Sequence, residues 1–173
     1  MSLLPVIIAP DPRLKVRSEP VEDIDDKLRR LMDDMLETMR EAPGIGLSAI
    51  QVGVAKRLIV LDLSHDDDGS GAPHFLINPV IDRVSDEGAV YSEGCLSLPE
   101  HFAEIERPAS CTVRYRDRDG VERTLEADAI LARCIQHEYD HLDGILFVDH
   151  LSALKRNIIL RKLIKSRKQK ASA

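Results

Sequence analysis

The sequence predicts an α+β domain with mostly antiparallel sheets around a central helix, together with an N-terminal and a C-terminal helix. Three observations lead to this prediction. Apolar residues recur every three or four positions in one N-terminal and two C-terminal segments, which is the periodicity of helices. Between them stand several short, largely apolar segments separated by turn-forming residues, which is the pattern of strands. Because these strands are grouped rather than interleaved with helices, antiparallel pairing is favoured.

The length and composition are typical of one globular domain, which we take to span residues 1–173. Apolar residues make up 43% and charged residues 31% of the chain, and no apolar run approaches the roughly 18 residues that span a bilayer. The N-terminal segment has neither the basic start nor the cleavage site of a secretory signal, so we expect a cytoplasmic protein. Three scattered cysteines predict free thiols rather than a disulfide framework.

Three helices are predicted from the apolar periodicity. The first covers Asp25–Glu41 and is followed by a Pro-Gly pair that ends it. The second covers about 128–142, and Gly144 closes its C-terminus. The third covers about 152–168 and is strongly basic.

Six strands are predicted between the first and second helices. They cover 57–63, 74–85, 88–92, 103–107, 109–117 and 121–127. The pair Asp119-Gly120 fits a hairpin turn between the last two strands. An acidic, glycine-containing loop fills 64–73, and the DPRL segment at 11–14 predicts a turn or a single helical turn.

The net charge of −6 hides an uneven distribution along the chain. Eight Lys or Arg side chains stand between Lys155 and Lys170, and no acidic residue follows Asp149. The first 149 residues therefore carry a charge of −14 and the remainder +8. A helix of this kind ordinarily docks on its own domain with a solvated charged face. A basic helix on an acidic body also fits a negatively charged partner, such as nucleic acid phosphates.

The most informative stretch is CIQHEYDHLDG, at 134–144. On a helix, His137 and His141 lie on one face with Cβ atoms roughly 5–6 Å apart, and both rings can reach one ion. Glu138 is turned about 100° from His137 and flanks such an ion, where it can accept a proton from water, as in zinc peptidases. The alternative is a buried helix with two hydrogen-bonded histidines and a surface glutamate.

A catalytic ion also needs a third protein ligand. Cys95, in the segment EGCLSLP at 93–99, stands at a predicted strand end where the backbone can approach an ion. Cys134 competes for this role, but it precedes His137 by only three residues on the same helix and fits packing beneath the site better. Either cysteine could instead be a small buried residue. One thiolate with two imidazoles suits ferrous iron as well as zinc.

A third stretch, GIGLSAIQVG at 44–53, is by itself most simply a glycine-rich turn between a helix and a strand. It lacks the glycine spacing of phosphate-binding loops. Its glycines would let a substrate backbone approach closely, and the amide of Gln51 could donate to a developing oxyanion.

Other polar side chains keep two interpretations. Glu93 and Asp140 either orient the histidine ligands or form structural ion pairs with Arg107 or Arg133. The histidines outside the motif are expected at the surface, and these are His65, His74, His101 and His150.

Together, the three stretches resemble the peptide deformylase family. The family pattern is G-x-G-x-A-A-x-Q, then E-G-C-L-S, then Q-H-E-x-D-H. This sequence has GIGLSAIQ at 44–51, EGCLS at 93–97 and QHEYDH at 136–141, in the same order. The likeness covers nearly the whole chain. One departure is Ser48, which replaces the first alanine of the pattern and whose hydroxyl needs a partner if it is buried.

The resemblance implies a reaction and a set of roles. The reaction removes the formyl group from the N-terminal formylmethionine of nascent polypeptides and releases formate. One divalent ion is implied per chain, with Fe²⁺ the expected native ion and Zn²⁺, Ni²⁺ or Co²⁺ possible. The implied metal ligands are Cys95, His137 and His141. Glu138 would be the general base and then the general acid, while Gln51 and the backbone N–H of Leu96 would form the oxyanion hole.

Substrate and partner contacts follow from the same resemblance. The backbones of Ile45 and Gly46 would pair with the formylated peptide like an added strand. The C-terminal helix would dock the enzyme on the ribosome, and no membrane or DNA partner is expected. An apolar pocket for the methionine side chain is expected near Tyr91, Ile130, Cys134 and His137.

Two other functions stay open at this level. The H-E-x-x-H motif alone also fits a metalloprotease, whose third ligand would normally be a later His or Glu. Only His150 follows His141 among the histidines, and EGCLS would then have no role. The other alternative is an inactive ribosome-binding protein with a structural metal, although such a protein has no use for Glu138 or Gln51.

Overall fold

The structure is a computed structural model that describes residues 2–64 and 71–172. Its helices are α1 (Asp26–Glu41), α2 (Ala129–Leu142) and α3 (Ala153–Ala171). Its strands are β1 (Gly46–Ser48), β2 (Leu58–Leu61), β3 (His74–Val84), β4 (Gly88–Cys95), β5 (Leu98–Pro108), β6 (Ser110–Arg116) and β7 (Glu122–Asp128). These strands pair antiparallel throughout, and the predicted α+β class is confirmed. Most of the predicted acidic loop, including His65, lies outside the described residues.

The strands form a five-stranded sheet of order β1-β2-β3-β6-β7 and a separate hairpin of β4 and β5. Strand β2 is buried on both faces of the larger sheet. Leu58 and Val60 belong to the core cluster that contains the apolar face of α1. Ile59 and Leu61 belong to the cluster that contains α2. Burial on both faces explains why this strand is apolar throughout rather than alternating.

Helix α1 begins after Asp25, whose carboxylate accepts a hydrogen bond from the Leu28 N–H at 2.9 Å. This is the side-chain cap expected at a helix N-terminus. The helix covers the larger sheet with three fully buried methionines, namely Met32, Met35 and Met39. Its observed range agrees within one residue with the predicted one.

Helix α2 occupies the centre of the molecule. It packs on β1, β2, β6 and β7 of the larger sheet and on β5 of the hairpin. Gly144 follows it with a φ of +75°, and a Cβ at this position would collide with the backbone carbonyl of Lys15. Only glycine fits both the left-handed conformation and this close packing. The predicted range of α2 and its closing glycine are therefore confirmed.

The hairpin and the C-terminal part of the chain share a further core cluster. Phe147, in a 3₁₀-helix at Phe147–His150, packs there with Leu98 and Ile105 of β5. Helix α3 joins this cluster mainly through Leu163, its one buried residue. Among the described residues, no helix combines the length and the apolar character needed to cross a membrane.

Two segments differ from the predictions. Residues 44–53 form β1 and a 3₁₀-helix at Ala49–Val52 rather than a turn. A strand of three residues with one glycine is too short to show the alternation on which a strand prediction rests. Strands β4 and β5 also extend beyond the predicted segments and reach Cys95 and Leu98.

Candidate active site

Three residues that could hold a metal ion converge where β4 ends beside α2. Cys95 is the last residue of β4, and His137 and His141 lie one turn apart on α2 with ring centroids separated by 5.1 Å. One ligand atom from each of the three residues lies within 4.8 Å of the others. The alternative ligand Cys134 directs its Sγ to the carbonyl oxygen of Ile45, 3.7 Å away. The structure therefore brings Cys95, and not Cys134, to the histidine pair.

The donor set fits one divalent ion. Cys95 Sγ and His141 Nε2 are 3.3 Å apart, close to the separation of about 3.5 Å that metal–sulfur and metal–nitrogen bonds give two ligands of a tetrahedral ion. His137 Nδ1 contacts Glu93 Oε1 at 2.8 Å, which leaves His137 Nε2 free for an ion. Burial holds the pKa of His141 well below its ordinary value, whereas at His137 burial is outweighed by contacts with Cys95 and Glu93, which raise its pKa.

A chain of hydrogen bonds connects His137 to the protein surface. Glu93, which is only 3% exposed, accepts two hydrogen bonds from Arg107 at 2.6 and 3.0 Å in addition to its contact with His137. Arg107 also donates to Asp140 at 2.9 Å, and the exposed His150 contacts the same carboxylate at 2.8 Å. Burial alone would raise the pKa of Glu93, but the hydrogen bonds from His137 and Arg107 lower it to about 2.

In this chain Glu93 fits both interpretations, and Asp140 fits the structural ion pair. Both carboxylates pair with Arg107, and Glu93 also fixes the ring of His137. Arg133 takes no part, since its guanidinium lies over the ring of Tyr91 at 4.8 Å.

Glu138 lies beside the candidate ligands. It is 3% exposed, and its Oε1 is 3.9 Å from His137 Nε2. Burial raises the pKa of Glu138 to about 7, the range in which a carboxyl group exchanges protons near neutral pH. A Cβ on Gly46 would stand 2.9 Å from Glu138 Oε1 and 2.8 Å from Cys134 Sγ. The glycine therefore allows the backbone of β1 to lie directly against this carboxyl group.

The side-chain amide of Gln51 is held in one orientation. Its Oε1 accepts hydrogen bonds from the N–H and the hydroxyl of Ser48, each at 3.0 Å. Its Nε2 donates to Ser97 Oγ at 3.0 Å and lies 3.5 Å from Cys95 Sγ. The amide NH₂ is thus aimed at the candidate ligand. Ser48 is fully buried, and its hydroxyl has the partner that burial requires.

A cavity of about 560 Å³ opens onto these groups. The predicted site residues that line it are Ile45, Gly46, Cys95, Leu96, Cys134, His137 and Glu138. Gln51 and His141 lie behind this lining, at 1% exposure each. The predicted methionine pocket is therefore only partly supported.

Tyr91 and Ile130, which were also expected near the methionine side chain, are not part of the lining of this cavity. Tyr91 is 36% exposed and its ring is covered by the guanidinium of Arg133. Ile130 lies in the first turn of α2, about two turns before His137. Both residues therefore remain a prediction that rests on the resemblance to the family.

The sequence did not predict the role of Ser97, and it left the partner of Glu93 and Asp140 open between Arg107 and Arg133. Ser97 is fully buried and ends the EGCLS segment, but its role as the partner of the Gln51 amide depends on tertiary packing. Arg107 did leave a signal, since it shares a strand face with Ala103 and Ile105 and a charge on an apolar face needs a buried partner. Of the remaining histidines, His74 and His101 are half-buried rather than exposed.

Comparisons with known proteins agree with this site. The family model of polypeptide deformylase matches residues 3–157. A peptide deformylase of Rhizobium meliloti (strain 1021) is 53% identical over 172 residues, which are 99% of this chain and 98% of the relative. The crystal structure of a peptide deformylase from Ehrlichia chaffeensis in complex with actinonin has a TM-score of 0.92 and 44% identity, and the match covers 96% of this chain and 98% of that one. With the three motifs brought together at one cavity, this chain belongs to the peptide deformylase family.

Proposed function

We propose that the groups around Cys95, His137 and His141 remove the formyl group from the N-terminal formylmethionine of nascent polypeptides. Membership of the family makes the chain a metal-dependent hydrolase that acts on formylated peptides. The assignment of roles rests on one observation, which is that three kinds of functional group meet at one cavity. A Cys-His-His donor set, a buried carboxyl group and an oriented amide meet there.

Cys95, His137 and His141 would hold one divalent ion per chain. When bound, such an ion polarises a carbonyl oxygen and lowers the pKa of water. We expect Fe²⁺ natively, and Zn²⁺, Ni²⁺ or Co²⁺ are compatible with the same thiolate and imidazole donors. Metal analysis of protein purified without oxygen tests this expectation, and a preparation that retains zinc but little iron would contradict it.

Glu138 moves the protons of the reaction. As a carboxylate it takes a proton from the attacking water, and it then passes that proton to the nitrogen of the leaving amine. A pKa of about 7 suits both steps, because neither protonation state is strongly favoured at neutral pH. Burial also keeps bulk water from exchanging this proton before the amine leaves.

Gln51 and Leu96 stabilise the negative charge that develops on the formyl oxygen. Because Ser48 and Ser97 hold the amide of Gln51, its NH₂ needs no reorientation during the reaction. Leu96 directly follows Cys95 and lines the cavity, which places its backbone N–H next to the candidate ligand. A donor of this kind typically contributes about 3–4 kcal/mol in the transition state.

Methionine is bound in the same cavity. A formyl group is small, so selectivity has to come from the side chain and backbone that follow it. Cys134 and the ring of His137 line the cavity and would contact the methionine side chain. Ile45 and Gly46 also line it, and their backbone groups would pair with the peptide.

The first experiment measures formate release from a formyl-Met dipeptide, using protein purified without oxygen and supplied with Fe²⁺. Replacement Glu138→Gln keeps the size of the side chain, and we expect it to lower kcat by roughly 10²–10⁴-fold while the metal content stays unchanged. The matched control is Glu104→Gln, at an exposed position of β5, which should retain the wild-type rate. Loss of the metal together with activity would contradict a proton-transfer role for Glu138.

The same experiment separates the two alternative functions. An inactive ribosome-binding protein would release no formate even when loaded with metal. A metalloprotease would cleave unformylated peptides and would need a third ligand such as His150, but that ring is engaged with Asp140.

We also propose that α3 docks the enzyme on the ribosome, in the cytoplasm where formylated chains emerge. Leu163 anchors the helix on the domain, whereas Arg161, Lys165 and Lys168 are exposed. An exposed row of cations on an otherwise acidic chain is suited to RNA phosphates.

Charge reversal tests this contact without removing Leu163. A triple variant with Glu at positions 161, 165 and 168 should bind ribosomes more weakly and with a smaller salt dependence, because fewer counterions are released. Formate release from short peptides should not change. Three reversals at exposed cations outside α3, such as Lys27, Arg30 and Arg83, serve as the control, and equal ribosome binding by both variants would refute the proposed contact.

A further inference from the structure

Phe102 is an exposed aromatic residue beside the candidate active site. It lies on β5, lines the 560 Å³ cavity and leaves 67% of its surface exposed. The other phenylalanines are packed in the interior, since Phe147 is buried and Phe75 half-buried. A large apolar side chain left open at the wall of a cavity is typical of a binding surface.

The backbone of the hairpin fixes the position of this ring. Cys95 pairs with Leu98, but Gly94 pairs with Phe102, so residues 99–101 bulge out of the ladder between them. A Cβ on Gly94 would stand 2.5 Å from Phe102 Cε1 and 2.7 Å from Cδ1. The Cδ1–Cε1 side of the ring therefore lies against the glycine, one residue away from the candidate ligand Cys95. Because it is already ordered by this contact, little side-chain entropy is lost when a ligand packs on its other face.

The cavity has room for more than formylmethionine. Its volume of about 560 Å³ is in the range of pockets that take whole drug-sized ligands, which is more than a formyl group and one side chain fill. Phe102 and the candidate ligands line the same cavity. An extended peptide advances about 3.3 Å per residue, so a substrate held at Cys95 brings its next residues within reach of the ring.

We propose that Phe102 determines specificity by binding an apolar or aromatic side chain at one of the two positions that follow the formylmethionine. This inference rests on the proposed deformylase function. The ring offers dispersion and aromatic contacts to a leucine or phenylalanine side chain, and it offers nothing comparable to a serine. The enzyme therefore has a lower KM for nascent chains with an apolar second or third residue than for chains with polar residues at both positions.

Three tripeptides test the proposal with the metal-loaded full chain. They are formyl-Met-Leu-Ser, formyl-Met-Ser-Leu and formyl-Met-Ser-Ser. We expect one of the leucine peptides to exceed the all-serine peptide by about three- to tenfold in kcat/KM. The difference should lie in KM, with kcat unchanged, because the contact is the same in the ground state and the transition state.

Variants assign this preference to the ring. Phe102→Ala should bring the leucine peptide down to the level of the all-serine peptide, and Phe102→Leu should keep part of the preference. The matched control is Val90→Ala, on the neighbouring strand at 57% exposure and outside the cavity lining, which should keep the whole preference.

Two results would overturn the inference alone. These are equal kcat/KM for the three peptides in the wild-type enzyme, and a leucine preference that survives in Phe102→Ala. Absence of formate release from all three peptides would instead overturn the proposed function, and this inference with it.

Discussion

Gly46 sets the distance between β1, the proposed substrate edge of the cavity, and Glu138, the proposed general base. The backbone of β1 lies against Glu138 and Cys134 because residue 46 has no side chain. A peptide that pairs with this backbone, as proposed, is therefore held next to Glu138. Glycine is required here by close approach and not by an unusual backbone conformation, since its φ is not positive.

Replacement Gly46→Ala should damage activity more than stability. The new methyl group would have to displace Glu138 or Cys134, and overpacking of this kind costs typically about 1–3 kcal/mol. Since the displaced group is the proposed general base, we expect kcat/KM to fall by more than about tenfold. Formate release and urea unfolding measure the two effects. The control is Gly71→Ala, where a Cβ meets no atom within 4 Å, and comparable losses in both variants would refute the explanation.

The sequence predicted the positions of those site residues that lie close together on one secondary-structure element. The placement of His137 and His141 follows from one turn of helix, and Glu138 from its position between them. Cys95 needed the resemblance to a family, since its approach to the histidines depends on how β4 meets α2. The places of Tyr91 and Ile130 at a methionine pocket likewise rested on that resemblance, and they stay predictions.

At the scale of elements, the sequence predicted what repeats over several residues. The three helices and the strands at 74–84, 110–116 and 122–128 show a long enough period to be recognised. Strand β1 has three residues and was missed, although it carries the proposed substrate edge. The bulge at residues 99–101 was also missed, because a register shift depends on the partner strand.

An ion pair between Arg40 of α1 and Asp62, which follows β2, makes the stability of the fold depend on pH. Asp62, directly after β2, is 1% exposed and accepts a hydrogen bond from Arg40 of α1 at 2.7 Å. Burial would raise the pKa of Asp62, but the hydrogen bonds from Ser64 and Arg40 outweigh it and lower the pKa below 3.8. Because the pKa of Asp62 is lower in the folded than in the unfolded state, this ion pair stabilises the fold at pH values above the unfolded-state pKa. The stabilisation is lost as the pH falls from the unfolded-state pKa through the folded-state pKa.

Replacement Asp62→Asn should therefore remove part of the acid sensitivity of the fold. We expect the free energy of unfolding to fall less steeply between about pH 5 and pH 3 in the variant than in the wild type. Urea unfolding at several pH values measures this slope. Asp23→Asn is the control, because Asp23 is exposed and makes no ion pair with any residue that the structure describes. A slope unchanged by Asp62→Asn would exclude this ion pair as a source of acid sensitivity.

At the scale of the whole molecule, Arg107 connects the parts that form the site. Its guanidinium joins β5, on which it lies, to Glu93 of β4 and to Asp140 of α2. Through Asp140 the same contact reaches His150, in the 3₁₀-helix that precedes α3. The hairpin that carries Cys95 and the helix that carries both histidines are thus held together by one buried cation.

Replacement Arg107→Ala should weaken both the fold and metal retention. Removing one partner of a buried ion pair leaves charges uncompensated and costs about 3–5 kcal/mol. Loss of an outer hydrogen bond to a ligand histidine typically lowers metal affinity by roughly 10–100-fold. Urea unfolding and competition with a chelator measure the two effects. Arg114→Ala, which removes an exposed pair with Asp82, should change neither, and equal effects in the two variants would contradict this role.

The arrangement of α2 and the hairpin also bears on how the enzyme can diverge during evolution. Eight of the 14 residues of α2 are buried, and they include both histidines and Glu138, so few substitutions there preserve packing and chemistry together. The bulge at residues 99–101 and Phe102 lie at the cavity but carry no ligand. With the proposed role of Phe102, substrate preference can drift through changes in this segment, in sequence or in length, while the residues proposed for hydrolysis stay fixed.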